Sequence, residues 1–378
     1  MILKRPIDFH FQRIVSNTIL LERSIRCRLH QGHRRFQVGW VTARTLRTPH
    51  SQLVIERLGH LGPAVNMRIT NNVRWINSNS TSFWNELYSP YKQYDIVVFV
   101  KAMDAMCQDE AHKIKNYGGK VIFDANVNYY EIWGEYDIPL TCPTPQQQQD
   151  AIQMTLLADW VVADSSYLLN VIKKYTLQAS WIPDNVNLNI FCGMRKHNDR
   201  KPVRLVWSGI SQKAKPLLLL KGIFRQLAGL VELVFVSDKS PEAMRELQQV
   251  IPCFYISYSD KRYAKTLLNC DVIISPKNLI NGYEMGHTEY KITLGMAVGL
   301  PAVGSPQQSY IEAITYKGGG IIASTTDEWY SALERMVKDY SLRAKMGERA
   351  HQTVMECYST PVVARQYLSV LNKLVSVA

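Results

Sequence analysis

YDIVVFVK (residues 94–101) is an apolar run, and GGKVIFDAN (residues 118–126) contains a second one. Continuous apolar runs of this length are typical of strands in a parallel sheet that is covered on both faces. The segment between them has helical spacing, and Gly118 and Gly119 end it as glycines commonly end helices. This strand–helix–strand unit indicates an α/β fold built on a parallel sheet.

The same alternation continues on both sides of this unit. Upstream, we expect a strand at residues 37–43, a polar loop at 44–51, a helix at 52–61 and a second strand near residues 73–78. Downstream, we expect a helix at residues 151–159, a strand at 160–165, a helix at 165–175 capped by Ser165 or Ser166, and a short strand from residue 179. The four glutamines at residues 146–149 have the composition of a short solvated linker.

A polar and basic stretch at residues 189–202 interrupts the pattern, which then restarts. Apolar runs predict strands at residues 203–209, 231–237, 253–257, 271–276 and 300–305, with helical segments between them. A restart after a linker indicates a second lobe with its own parallel sheet. We therefore predict an α/β protein of two Rossmann-like lobes, with the cleft between them as the default ligand site.

Composition excludes several classes of protein. The chain has 378 residues, of which 46% are hydrophobic, so it can bury two cores and is not disordered. No uncharged apolar run approaches the roughly 20 residues of a membrane span, and no cleavable signal peptide is visible. The seven cysteines are scattered without metal or redox spacing. These features predict a cytoplasmic protein with reduced thiols.

Positive charge is concentrated at the N-terminus. The net charge is +12, and residues 1–36 hold half of that excess. Their apolar stripe predicts an amphipathic basic helix, which suits either an anionic membrane surface or a face of a lobe; the stripe consists of Ile14, Thr18, Leu21, Ile25 and Leu29. We expect no nucleic-acid partner, since the chain has no zinc spacing, helix-turn-helix or aromatic stacking motif.

DVIISPKNLINGYEMGHTEYKITLGMAVGLPAVGSP (residues 271–306) resembles the donor-site segment of retaining GT-B glycosyltransferases, the large class called glycosyl transferases group 1. In that family a strand ends in Pro, a variable loop leads to a Lys that opens a helix, and Met-Ala-x-Gly-x-Pro follows. The corresponding positions are Pro276, Lys291, Met296, Ala297, Gly299 and Pro301. Residues 160–175, 182–191, 207–222, 327–339 and 342–359 resemble other parts of the family, so the resemblance runs from about residue 94 to the C-terminus.

The charge pattern and the resemblance together divide the chain into four parts. We expect a basic N-terminal extension at residues 1–36, an acceptor lobe at 37–190 and a donor-binding lobe at 203–360. A C-terminal helix at 361–378 should pack back toward the first lobe.

The donor's diphosphate should bind between the first turn of the second lobe and the helix that Lys291 opens. Such a group needs N–H donors and cations, most of all as it leaves, so Lys291 is a catalytic candidate. The other candidates on the donor side are Ser208, Gly209, Lys213, Lys215, Pro276, His287 and Glu289. Lys213 and Lys215 are, one by one, equally well explained as solvated loop lysines.

One departure from the family concerns the ribose. Relatives often have two glutamates eight positions apart, of which the second binds ribose hydroxyls, and here these positions hold Gly286 and Leu294. Glu284 and Glu289 lie nearby but out of register. The ribose contact is therefore moved, supplied by the backbone or absent. This leaves open a degenerate relative that binds nucleotide or glycan without turnover, or a partner subunit.

On the acceptor side, GGKVIFDANVNYYEIW (residues 118–133) resembles the segment that lines the cleft in many relatives. Asp124, Asn126 and Asn128 alternate just past a strand end, and Asp124 could orient or deprotonate an acceptor hydroxyl or could cap a turn. In the loop after the first strand, Arg44, Arg47 and His50 could hold an anionic acceptor such as a lipid diphosphate. They are also explained as solvated residues beside a capped helix.

We expect a hexosyl-type glycosyltransferase of polysaccharide biosynthesis that uses a nucleotide sugar as co-substrate and a glycan or lipid-linked acceptor. The resemblance implies retention of configuration and no obligatory metal or other cofactor, and the chain has no Asp-x-Asp motif. The enzyme alternative is a sugar-nucleotide epimerase of the same fold, which needs its own carboxylates and histidine in the cleft. Peripheral contact with an anionic membrane on the cytoplasmic face is a further expectation.

Overall fold

Two parallel sheets organise the computed structural model, which describes residues 35–47 and 65–376. The strands of the first sheet are β1 (Phe36–Val41), β2 (Phe83–Leu87), β3 (Ile96–Val100), β4 (Lys120–Ala125), β5 (Trp160–Ala163) and β6 (Ala179–Trp181). Their order is β2-β1-β3-β4-β5-β6. Val97 and Phe99 of β3 pack in one core while Ile96 and Val98 pack in the opposite one. Both faces are therefore covered, which explains the continuous apolar run.

The second sheet repeats this plan with the order β12-β11-β10-β7-β8-β9. Its strands are β7 (Val203–Ser208), β8 (Val231–Ser237), β9 (Cys253–Ser257), β10 (Val272–Ser275), β11 (Ala302–Gly304) and β12 (Gly320–Ile322). Leu205 and Trp207 pack on one face of this sheet, and Val206 packs on the other. The predicted α/β fold of two Rossmann-like lobes is confirmed.

Helices cover both sheets. Those that follow strands of the first lobe are α1 (Ala43–Arg47), α2 (Asn71–Asn79), α3 (Ala105–Asn116), α4 (Pro145–Leu157) and α5 (Ser166–Ile172), with a π-helical turn at Asn66–Thr70 and a 3₁₀ turn at Pro139–Thr141. Those of the second lobe are α6 (Lys221–Gln226), α7 (Glu242–Leu247), α8 (Asp260–Leu268), α9 (Gly282–Met285), α10 (Tyr290–Ala297), α11 (Gln308–Thr315), α12 (Thr326–Lys338) and α13 (Tyr340–Thr353), with a 3₁₀ segment at Ser211–Leu220. A π-helical turn at Val354–Tyr358 leads into the last helix, α14 (Thr360–Val375).

Three local predictions are wrong. Residues 44–47, expected in a polar loop, lie in α1. The segment at residues 73–78 belongs to α2 rather than to a strand, because Val73 and Ile76 bury their side chains at helical spacing. The glutamines at residues 146–149 lie in α4 rather than in a linker, since Thr144 and Gln147 form a capping box at its start. Of the two predicted caps of α5, Ser165 accepts the Leu168 N–H at 3.2 Å.

Several expectations concern residues outside the described ranges. The basic extension up to residue 34, the expected helix at residues 52–61, His50, and residues 377–378 at the C-terminus all lie there. Among the helices that are described, none has the length and apolarity needed to cross a membrane.

The chain passes between the lobes twice, and the two passages pair with each other. Val186 on the first passage accepts the N–H of Thr360 at 3.1 Å and donates its own N–H to Tyr358 at 2.7 Å. After the second passage α14 packs on the first lobe, where Tyr367 contacts Trp40 with ring centroids 5.3 Å apart. The last helix therefore fastens the end of the chain to the first sheet.

Candidate active site

Strand order locates the cleft. In the first sheet β1 lies between β2 and β3, and in the second sheet β7 lies between β8 and β10. Chain direction across the sheet reverses at these points, and ligands of parallel α/β folds bind beside the carboxyl ends of the strands there. The segments that begin at Lys101 after β3, Gly209 after β7 and Pro276 after β10 therefore lie where a ligand is expected.

A cleft opens at this place between the two lobes. The space between its lining residues is about 550 Å³ and includes open solvent. The first lobe contributes Asp137, Ile138 and Thr141, and the second contributes Trp207, Gln212, Lys213, Lys215, Pro216, Ser275, Pro276, Lys277, Asn278, Asn281, Glu284 and Lys291. Four lysines in so small a space indicate an anionic ligand.

Three of these lysines surround one carboxylate. The Nζ of Lys277 donates to Oε2 of Glu284 at 3.2 Å, and the Nζ of Lys213 lies 3.7 Å from its Oε1. The Lys291 side chain completes the cluster, with Nζ 5.8 Å from the centroid of the Trp207 ring. We call Lys213, Lys277, Lys291 and Glu284 the lysine cluster.

Electrostatic effects show how closely the lysine cluster is coupled. Burial alone would raise the pKa of Glu284, but Lys277, Lys213 and Lys291 outweigh it and hold that pKa below its ordinary value. Burial, and then the charges of Lys277 and Lys213, lower the pKa of Lys291 well below the ordinary lysine value, with Glu284 opposing them. Burial likewise lowers the pKa of Lys213 to about 8. A bound dianion would stabilise the charged form of all three lysines.

The absence of a side chain at Gly209 leaves room for the Lys291 side chain. A Cβ at this position would lie 3.0 Å from Nζ of Lys291 and 3.1 Å from the Trp207 ring. The Gly209 N–H donates to the Val236 carbonyl at 3.1 Å, and Ser208 Oγ accepts the hydroxyl of Tyr263 at 2.5 Å. These contacts occupy the Gly209 N–H and Ser208 Oγ, and direct donor binding by the two residues stays a prediction.

Lys213 and Lys215 are not equivalent, although the sequence treats them alike. Lys213 has 11% of its side chain exposed, whereas Lys215 has 67% exposed and lies at the rim. Lys215 donates to Asp137 of the first lobe at 2.7 Å, and Asn278 donates to the other oxygen of that carboxylate at 3.3 Å. Lys215 therefore joins the lobes across the mouth of the cleft.

His287 supports the lysine cluster from behind. Its Nε2 lies 2.8 Å from Nζ of Lys213, which also donates to the Tyr283 hydroxyl at 3.0 Å. Burial and the charges of Lys213 and Lys277 lower the pKa of His287 well below its ordinary value. The imidazole is therefore neutral at neutral pH, and because a charged lysine has no acceptor, Nε2 is assigned as the acceptor.

Glu289 is separate from the cleft. Its side chain is fully buried, and neither carboxylate oxygen has a hydrogen-bond partner among the described residues. Burial, followed by the charges of Asp184 and Asp164, raises its pKa well above the ordinary glutamate value. Glu289 is thus a buried carboxyl under the start of α10, which corrects its assignment to the donor. Pro276 does line the cleft, as expected.

Asp124 is a structural ion-pair partner rather than an acceptor base. It is fully buried, and both of its oxygens accept from Arg68, at 2.7 and 3.2 Å. The Tyr367 hydroxyl also donates to it at 2.5 Å. A carboxylate that is out of solvent and held by three donor groups cannot reach an acceptor hydroxyl, so the structure corrects this assignment.

The other acceptor candidates differ in burial and in their contacts. Asn128 is fully buried and donates across the lobe interface to the Gly282 carbonyl at 3.0 Å, so it closes the lobes instead of contacting an acceptor. Asn126 keeps a buried Oδ1 without a partner in the described part of the chain. Arg44 is exposed on α1, and Arg47 forms an ion pair with Asp104. No described contact tests His50.

Sequence reasoning missed two members of the lysine cluster, Lys277 and Glu284. Lys277 directly follows Pro276 at the carboxyl end of β10, so the rule that ligands bind at strand ends could have selected it. Glu284 does not match the register of the family's glutamates, so the resemblance gives no reason to select it. Only its contact with Lys277, in the loop that precedes α9, reveals its place.

The fold of this chain is similar to those of several solved structures. The fold is similar to a glycosyltransferase from Rickettsia africae, with a TM-score of 0.62 and 12% identity over 91% of this chain and 99% of that chain. HepE from Anabaena in complex with UDP and glucose gives 0.61 and 10% identity over 90% of this chain and 100% of that one. Sucrose-phosphate synthase from Thermosynechococcus elongatus gives 0.59 and 12% identity over 75% of both chains.

The chain has the GT-B fold. Identities of 10 to 12% show a shared fold only. The reaction has to be inferred from the residues of the site. No protein-family model matches the sequence, and no curated protein matches it significantly. Within the GT-B architecture, the lysine cluster lies in the second lobe and faces the first lobe across the cleft.

Proposed function

We propose that this protein is a glycosyltransferase that binds a nucleotide sugar in its second lobe and transfers the sugar to an acceptor hydroxyl. The observation that supports this most directly is the lysine cluster. When its three lysines are protonated and Glu284 is ionised, the cluster has a net charge of two positive units, which balances the two negative charges of a nucleotide-sugar diphosphate. HepE, which shares the fold, forms complexes with UDP and UDP-glucose, and this supports a uridine donor.

The proposed chemistry is electrostatic. When the bond from the sugar to the diphosphate breaks, negative charge grows on the leaving phosphate, and preorganised cations stabilise that charge. Lys291, Lys213 and Lys277 are held around the cleft by packing and by Glu284, so they need little rearrangement. We assign Lys291 the largest effect on the rate of transfer. Its ammonium is surrounded by two other cations and a ring face, so a bound anion should stabilise it more than the other lysines.

Retention of configuration and independence of metal are part of the proposal. An inverting transfer needs a general base on the acceptor hydroxyl. The two carboxylates that line the cleft, Asp137 and Glu284, are both bound by lysine. This favours a reaction in which the leaving diphosphate takes up the acceptor proton. The hexose type, the glycan or lipid-linked acceptor, a role in polysaccharide biosynthesis, a cytoplasmic location and membrane docking of residues 1–36 remain proposals too.

A non-catalytic nucleotide-binding protein is the second candidate. Leu294, at the position where relatives have a ribose-binding glutamate, is buried in the core of the second lobe, so no side chain there reaches a ribose. Thermal-shift measurements with UDP-, GDP-, dTDP- and CDP-sugars test donor binding, because a ligand of the native state raises the Tm. Release of free sugar from the stabilising donor then separates the two candidates. An enzyme releases it, whereas a binding protein leaves the donor intact.

We expect donor affinity to fall as the pH rises through about 8, the pKa of Lys213 in the empty cleft. The ammonium form attracts the diphosphate, so binding raises that pKa, and above pH 8 the free protein must take up a proton in order to bind. Kd for the stabilising nucleotide sugar should be roughly tenfold higher at pH 9 than at pH 7. Lys291, whose pKa is also lowered, acts in the same direction.

Titration calorimetry at the two pH values measures this effect. Lys213→Arg is the matched variant, because a guanidinium stays charged over this range and should flatten the dependence. An unchanged wild-type Kd between pH 7 and pH 9 would show that these lysines do not face the diphosphate.

A further inference from the structure

One exposed cation at the carboxyl edge of the first sheet takes no part in the lysine cluster. Lys101 directly follows β3 at the switch point of the first sheet, and its side chain is exposed. Its charge nevertheless contributes to lowering the pKa of both Lys213 and His287 across the cleft. The strand order places Lys101 at the carboxyl edge of the first sheet, where a ligand between the lobes is expected.

The backbone holds Lys101 in an unusual conformation. Its φ of 51° makes it the one described non-glycine residue in the left-handed region. Its N–H donates to the Asp124 carbonyl at 2.9 Å, and Asp124 is itself fixed by Arg68. Left-handed residues with a Cβ cost free energy, and such strain is concentrated at functional sites. The hydrogen bond to Asp124 thus fixes the backbone from which the Lys101 side chain extends.

An aromatic wall connects Lys101 with the lysine cluster. The Nζ of Lys101 lies 5.7 Å from the centroid of the Tyr129 ring. Next to Tyr129, the Asn128 amide donates to the Gly282 carbonyl at 3.0 Å, which brings this segment to Tyr283. The Nζ of Lys213 lies 4.5 Å from the centroid of the Tyr283 ring. No ion pair joins Lys101 to a carboxylate among residues 35–47 and 65–376. Its charge is therefore available to a ligand.

Charge balance decides which ligand this is. The lysine cluster by itself matches the two charges of a donor diphosphate, and Lys215 is neutralised by Asp137 at the rim. Lys101 is left as an unmatched cation on the wall that belongs to the first lobe. Resting on the proposed function, we propose that Lys101 and Tyr129 form an anion subsite for the acceptor, which carries a phosphate group close to the hydroxyl that receives the sugar.

Inorganic phosphate is the probe, added to the full-length protein after saturation with UDP so that the lysine cluster is occupied. Titration calorimetry should detect phosphate binding to this complex. Lys101→Met should weaken it by about tenfold, as expected for the loss of one charge-assisted hydrogen bond. Lys101→Arg should retain it within about threefold, because it keeps the charge on an unbranched side chain. Lys261→Met, an exposed lysine of α8, should behave like the wild type.

Three results would overturn the subsite. Phosphate that binds only in the absence of UDP would belong to the donor site. Equal phosphate affinity in the wild type and in Lys101→Met would remove the lysine from the site. A loss of UDP affinity in Lys101→Met as large as the loss of phosphate affinity would assign Lys101 to the donor.

Failure of the proposed function has a different signature. If UDP and the other nucleoside diphosphates do not bind, the donor assignment fails. Phosphate is then titrated into the empty protein. Loss of binding in Lys101→Met but not in Lys291→Met supports the subsite, and the reverse pattern refutes it.

Discussion

Lys291→Ala is expected to lower the rate of donor cleavage by on the order of 100-fold, the usual cost of removing one preorganised electrostatic donor. The effect should fall mainly on kcat, with a smaller change in donor Kd, because charge on the leaving diphosphate is greatest in the transition state. The geometry supports this asymmetry. Burial and the charges of Lys277 and Lys213 lower the pKa of Lys291 well below the ordinary lysine value, so negative charge on the leaving group stabilises its ammonium form.

The measurement is release of free sugar from the nucleotide sugar that stabilises the protein, together with donor Kd by calorimetry. Lys215→Ala is the matched control, since this rim lysine is bound to Asp137 and should cost less than about fivefold, as a surface ion pair does. The Tm without ligand should not fall in Lys291→Ala, because the variant removes a cation that burial disfavours. A folded Lys291→Ala protein with a wild-type rate would show that the donor reacts elsewhere.

Arg68→Met is expected to destabilise the fold far more than any of the cleft substitutions. Arg68 is fully buried and donates to both oxygens of Asp124, to Asp184 at 3.3 Å and to the Ile182 carbonyl at 2.8 Å. Removal of one partner of a buried ion pair leaves uncompensated charge, which costs about 3–5 kcal/mol. The loss should be cooperative, because Arg68 joins the first lobe to the passage that leads into the second.

Chemical denaturation of Arg68→Met and of the wild type measures this loss. Arg74→Met is the matched control, because Arg74 is an exposed arginine on α2, close in sequence to Arg68, and should change the free energy of unfolding by less than about 0.5 kcal/mol. A double variant, Arg68→Met with Asp124→Leu, should recover part of the loss, since it removes both charges. Equal stability of Arg68→Met and Arg74→Met would contradict the assignment of Asp124 to a structural ion pair.

These two substitutions also distinguish two roles of residues near the carboxyl ends of strands. Lys291 acts in the cleft, where a lowered pKa indicates a cation crowded by other cations. Asp124 lies at the end of β4 but points into the buried network, so Asp124→Asn should lower stability and should affect turnover only through Lys101 and the fold. A site residue therefore has to lie at a strand end, but the direction of its side chain decides whether it acts in the cleft or in the buried network.

Much of the architecture follows from the sequence alone. Local features of the sequence predict the two parallel sheets: apolar runs of strand length, glycines at helix ends and the restart after residue 202. Each strand and helix can be predicted separately because its burial pattern appears in its own residues. The resemblance to GT-B glycosyltransferases located Lys213, Pro276 and Lys291, all of which line the cleft. The prediction at residues 73–78 is wrong because Val and Ile favour strands, while packing against α14 selects a helix.

The tertiary structure decided what each polar side chain does. Asp124 and Arg68 are 56 positions apart, and no local pattern reports that they form an ion pair. Glu284 belongs to the lysine cluster through its contact with Lys277. The proposed role of Lys101 rests on its left-handed backbone and the Tyr129 ring beside it. Secondary structure depends on periodicity over a few residues, whereas the charge, burial and direction of a side chain depend on neighbours that only the folded chain brings together.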